Sequence, residues 1–154
     1  MFTILSPESW DIVLRLIVAI GLGAALGVER SLAKKTAGMR TYALVSMGSA
    51  LFVIIAELAG KIYLANGAGS LDPLRIASQV IVGIGFLGAG LIIFKDDRLR
   101  GLTTAAGLWV AAGIGMAAGL GFHILAIVVT IFTLLIFTVL WHVEQWLERQ
   151  AHKD

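Results

Sequence analysis

The chain has 154 residues and a mass of 16.4 kDa; 58% of its residues are hydrophobic, 14% are charged, and the mean hydropathy is +0.92. A soluble domain carries about 25% charged and about 45–50% apolar residues, so a secreted mini-domain, a disordered tail and a nucleic-acid module are all excluded, and a net charge of +2 implies no nucleic-acid partner. Without cysteine there is neither a disulfide framework nor a thiolate metal site, and the composition is that of an integral membrane protein.

A bilayer core about 30 Å thick is crossed by roughly 20 apolar helical residues. The first stretch that meets this requirement is Trp10–Val28. A signal peptide needs a positive n-region, but the charges before Ile12 are Glu8 and Asp11, so the segment is expected to be retained with its N-terminus outside. Arg15 lies about one turn into it, four residues after Asp11, and Gly23 and Gly27 form a small-xxx-small pair that lets backbones approach. The second span is Thr41–Gly60, with Glu57 near its outer end. The third, Ile76–Phe94, is preceded by Asp72-Pro73, the pattern of an N-cap followed by proline at the first helical position. Asp72, Arg75 and Gln79 are spaced to share one side of that helix.

Within the third span, Gly83-Ile84-Gly85-Phe86-Leu87-Gly88 spells G-x-G-x-x-G. A dinucleotide site needs that motif between strand and helix with an acid about 20 residues on; inside a membrane span it reads as close packing. The fourth span, Leu102–Leu120, repeats small residues at Thr103, Gly107, Ala111, Gly115 and Gly119. The fifth, Phe122–Trp141, follows so closely that the two form an antiparallel hairpin. It is bulky (Ile124, Ile127, Val128, Ile131, Phe132, Phe137), as expected of a helix facing lipid outside a packed unit of the first four. From His142 onward the chain reads as an amphipathic extension or frayed tail. The expected fold is all-α and polytopic: a single transmembrane domain over 1–154 with about five helices and no soluble domain.

Nine basic residues fall on one side of these spans, including Arg30, Lys34, Lys35, Arg40, Lys95, Arg98 and Arg100, against Lys61 and Arg75 on the other. The excess of Lys and Arg on cytoplasmic loops then predicts an outer N-terminus and an inner C-terminus. A tandem likeness between the first and second pairs of helices, with Arg15 and Arg75 at matching starts, suggests a parallel two-helix repeat.

Polar groups inside membrane spans are costly and therefore candidates for function. Asp11, Arg15, Glu57, Asp72, Arg75 and Gln79 are expected to converge at the outer leaflet, with Arg15 and Asp72 meeting between the first and third helices. Carboxylates grouped there could hold a partly hydrated Mg²⁺; the bland alternative is a helix cap at Asp72 and mutual neutralisation of Asp11 and Arg15. Glu29, Arg30, Arg40 and Arg100 form a cytoplasmic set, read either as interfacial anchoring or as a basic surface for anionic lipid or a protein partner. Gly23, Gly27, Gly83, Gly85, Gly88, Gly107, Gly115 and Gly119 are assigned to helix packing. His123, His142 and His152 show no metal-ligand spacing, and no catalytic set can be assembled, so enzyme activity is not expected.

Several runs taken together resemble the MgtC/SapB family of bacterial inner-membrane proteins: Arg15-Leu16-Ile17 through Gly27-Val28-Glu29-Arg30, Ala37-Gly38-Met39-Arg40-Thr41-Tyr42, Asp72-Pro73-Leu74-Arg75, Gly83 through Gly90, and Arg100-Gly101-Leu102-Thr103-Thr104 through Trp109. The resemblance covers about residues 10–120, and Arg15, Glu29, Arg30, Arg40, Asp72, Arg75, Gln79 and Arg100 match its motif positions. It implies a link to growth under magnesium limitation and to survival inside host cells (virulence), through either magnesium transport or regulation of membrane partners. Longer members append a soluble cytoplasmic domain, so functions resting on it are not carried over. Tyr42 stands where many members have histidine. The expectation is a regulator of the inner membrane, forming a homo-oligomer (a dimer, by the prevalence of twofold symmetry) and acting on a membrane-protein partner. The alternative is a transporter or channel for Mg²⁺ or another small substrate, and no cofactor is expected unless Mg²⁺ binds.

Overall fold

The computed structural model describes residues 7–67, 73–95 and 97–151. Helix α1 spans Pro7–Leu32 and buries Ala19, Gly23, Leu26, Gly27 and Arg30, one stripe at the helical repeat. It ends in a left-handed residue, Lys34 (φ 53°). The Lys34 N–H donates to the Ser31 carbonyl at 3.1 Å and the Lys35 N–H to the Arg30 carbonyl at 2.9 Å. These two bonds make a Schellman close with lysine where glycine is usual. Ser31 Oγ then accepts the Met39 N–H at 3.1 Å, so α1 caps the start of α2 (Met39–Ala65).

Helix α3 runs Pro73–Leu91. Strands β1 (Ile93–Lys95) and β2 (Arg98–Arg100) follow as an antiparallel hairpin with Ile93 opposite Arg100. The third span therefore ends at Leu91 rather than Phe94, and the basic loop is a small ribbon. Gly101, at φ 91°, makes the turn into α4 (Leu102–Gly119); a Cβ there would lie 2.1 Å from the Leu91 carbonyl oxygen. Helix α5 (His123–Leu135), a π-helical turn (Ile136–Leu140) and α6 (Trp141–Ala151) follow one another without a break. Four helical stretches are long and apolar enough to cross a membrane: α1, α2, α4 and the continuous 29 residues His123–Ala151. The 19 residues of α3 lie near the lower edge of spanning length. The fold is all-α and polytopic.

Helix α4 is apolar on every side, the pattern of a buried helix, and packs against α1, α2, α3 and α5. Its glycines set the spacing. A Cβ on Gly115 would lie 2.0 Å from the Ser46 carbonyl oxygen and one on Gly119 2.7 Å from that of Ala50; one on Gly107 would strike Tyr42 and Phe137. These contacts run in the same order along both helices, so α2 and α4 lie side by side in parallel. Gly23 and Gly27 make equally close approaches to Tyr42 and Met39 of α2. The α1–α2 and α3–α4 hairpins thus have the same sense.

Three packing expectations are corrected. A Cβ on Gly83 or Gly85 would meet nothing within 4 Å, whereas one on Gly88 would lie 3.6 Å from Ala105 Cβ, so of these three α3 glycines Gly88 alone sits at a close helix contact. Helices α3 and α5 both lie at the edge of the bundle: Phe86 of α3 and Ile124 of α5 are each 81% exposed, but α5 is not outside the packed unit. Helix α5 packs on α4 and α1 through Ala126, Thr130 and Thr133. Small residues on one side of that otherwise bulky helix allow it. The buried hydroxyls of Thr130 and Thr133 bond back to the Ala126 and Val129 carbonyls at 2.8 and 2.7 Å, so they enter the bundle already satisfied. Phe137, expected in lipid, is buried in the π turn, where the widened backbone shifts the side-chain register.

Candidate functional site

Two polar sites lie at opposite ends of the bundle. At the end where α1 begins, Arg15 is the hub, its side chain 17% exposed. Nη2 pairs with Asp11 at 2.7 Å and Nη1 with Glu57 at 2.7 Å, while Nη1 also donates to the Gly119 carbonyl at 3.0 Å. The guanidinium therefore sits on the C-terminus of α4, where a positive charge complements the helix dipole and the last open carbonyls. Lys61 takes the other Glu57 oxygen at 3.0 Å. The result is a neutral network of two cations and two carboxylates that ties α1, α2 and α4 together.

Among the described residues of α3, neither Arg75 nor Gln79 joins this network. Arg75 and Gln79 are exposed on α3, which packs on α2 and α4, and neither bonds to Arg15. Gln79 instead lines an apolar groove of about 500 Å³ between α2 and α3, with Ser49 and Phe52. Asp72 lies outside the described residues. Both Glu57 oxygens are already engaged, and among the described residues no three acidic or histidine side chains gather as a metal site.

At the opposite end, Arg30 is buried, 3% exposed. Its Nε donates to the Glu29 carboxylate, and its flat face lies 3.7 Å from the centroid of the Phe137 ring. Beside it the fully buried Tyr42 donates its hydroxyl to the Thr104 carbonyl at 3.3 Å, bridging α2 to the first turn of α4. Gly107 leaves the room for both rings. A cavity of about 540 Å³ opens here, lined by Arg30, Lys35, Phe137, Trp141 and Glu144 among others. Arg40 is exposed and away from this cluster, and Arg100 lies on β2.

Sequence reasoning named Arg30 and Glu29 but missed Phe137 and Thr104, and it treated Lys35 only as a topology charge. Phe137 carried no signal, since it sits in a run of bulky residues and the π turn has no sequence signature.

A model of the MgtC family matches residues 16–146, most of the chain, starting one residue after Arg15. The chain belongs to the MgtC family. It is similar to "Putative magnesium transporter YhiD" of Escherichia coli K12, 45% identical over 62% of this chain and 45% of that protein. It is 42% identical to "Protein MgtC" of Brucella abortus over 55% of the chain and 32% of the relative. An uncharacterized protein of Haemophilus influenzae is 37% identical over 96% of the chain and 63% of its own length. The chain thus spans from about a third to somewhat under two thirds of the length of these relatives. No solved structure matches.

Proposed function

We propose that this MgtC-family protein is a regulator in the bacterial inner membrane, serving growth at low magnesium by docking on other membrane proteins rather than by carrying an ion. The observation that carries the reading is the seam between the two polar ends. There α1, α2 and α4 meet backbone to backbone, through Gly23, Gly115 and Gly119, with Ala19, Ala50 and Ala111 filling what remains. A conduit along the bundle axis would have to separate these helices.

The docking surface in this reading is α3. It presents Val82 and Phe86 outward, with Gly85 and Gly90 leaving open space beside them, a relief into which a partner helix can settle closely in lipid. A second copy of the chain is the first partner to consider, as a twofold dimer. The end rich in Lys and Arg faces the cytoplasm in this reading, with the N-terminus outside. The competing reading, magnesium transport, draws on the name of the Escherichia coli relative.

Gly85→Leu and Gly90→Leu test the docking face, because a Cβ at either position meets nothing within 4 Å. Both variants are expected to accumulate and melt like the parent yet lose support of growth at low Mg²⁺. Full growth support at unchanged abundance would remove α3 as the working surface.

A further inference from the structure

The strongest unassigned feature is the edge of Arg30. Its side chain is 4% exposed, yet only Nε is hydrogen-bonded, to Glu29. Phe137 covers the flat face of the guanidinium at 3.7 Å. The remaining edge, the fork formed by Nη1 and Nη2, bonds to no described residue, and the residue lines the cavity at the basic end. A buried guanidinium with an open fork is matched to two oxygens of one oxyanion.

We propose that this cavity is a phosphate site, in which the Arg30 fork takes two phosphate oxygens and Lys35 adds a second positive charge. The backbone of Lys35 is fixed beside Arg30, its N–H bonded to the Arg30 carbonyl at 2.9 Å by the close of α1, and both residues line the cavity. The opposite wall favours a phosphodiester on a lipid over free phosphate. Ile136, Leu140 and Trp141 present an apolar surface to whatever is attached to the headgroup, and tryptophan is at home at headgroup depth. Glu144, also in the lining, repels a dianion more than a singly charged diester. Glu29, paired with Arg30 Nε, offsets part of the positive charge, so the open fork binds by its geometry and Lys35 supplies the added charge.

The test uses the purified full chain in detergent, stripped of lipid, with the melting temperature read against three additives: dioctanoyl phosphatidylglycerol, dioctanoylglycerol lacking the phosphate, and inorganic phosphate. Phosphatidylglycerol is expected to raise Tm saturably and dioctanoylglycerol to leave it unchanged. A saturable rise with inorganic phosphate alone would keep the phosphate chemistry and assign a soluble source. Lys35→Gln should weaken apparent affinity about fivefold, the worth of one lysine near a charged surface. Arg30→Lys, which keeps the charge but loses the fork, should weaken it about tenfold. Arg30 is buried, so its variant is read only where it folds; Lys35 is exposed, so its variant decides alone where Arg30→Lys does not fold. Equal shifts with dioctanoylglycerol, no shift with either phosphate compound, or unchanged affinity in Lys35→Gln would each overturn the assignment.

Discussion

Gly115→Ala is expected to remove most of the folded protein, although it adds a single methyl group. That carbon would stand 2.0 Å from the Ser46 carbonyl oxygen and 2.8 Å from Ser46 Cα. Both are backbone atoms of a facing helix, so no side chain can swing aside; α2 and α4 must part. Overpacking a core costs about 1–3 kcal/mol, and more where backbone must move. Here parting the helices also loosens the neighbouring contacts of Gly107 and Gly119. A loss of at least about 3 kcal/mol is expected, a large share of the roughly 5–15 kcal/mol that holds a domain folded. Gly113→Ala, two residues away, has no neighbour within 4 Å and should be neutral or gain about 0.5–1 kcal/mol from reduced chain entropy. Thermal unfolding in detergent separates the two variants, and equal melting temperatures would contradict the packing account.

The second large effect belongs to Arg15. Arg15→Met takes a cation away from Asp11, Glu57 and the Gly119 carbonyl together, and leaves Glu57 with Lys61 alone. Breaking a buried pair from one side costs about 3–5 kcal/mol; the partial exposure of Glu57 and its surviving lysine place this case near the lower end. The cost is mostly that of an uncompensated carboxylate, which gives a sharper expectation. The double variant Arg15→Met/Glu57→Gln should be more stable than the sum of its single changes by more than about 0.5 kcal/mol, the limit within which independent sites add. Strict additivity in unfolding measurements would show that Arg15 and Glu57 do not act as a pair.

The spans, the Gly23/Gly27 pair and the Gly107/Gly115/Gly119 ridge were readable because lipid-soluble helices announce themselves by length and by small residues at four-residue spacing. The Asp11–Arg15 pair was readable for the same reason, being local. What failed was assignment between helices. Glu57 on α2 does join Arg15, as expected, while Arg75 and Gln79 on α3 do not, and nothing local tells which of several polar groups at one membrane depth will be neighbours. The glycines of α3 look like those of α4 in sequence; that Gly83 and Gly85 face open space depends on α3 lying at the edge of the bundle. Phe137 was lost for a third reason. Its burial over Arg30 depends on one turn of π helix that shifts the register within a uniformly apolar run.

The central claim, a sealed bundle that regulates rather than conducts, is tested most directly by Mg²⁺ uptake into liposomes containing this protein alone, with a fluorescent magnesium indicator inside. The account predicts uptake equal to that of protein-free liposomes, with an imposed membrane potential or without one. Uptake that rises with the amount of protein incorporated, and is lost in Arg15→Met protein shown to be folded, would contradict it.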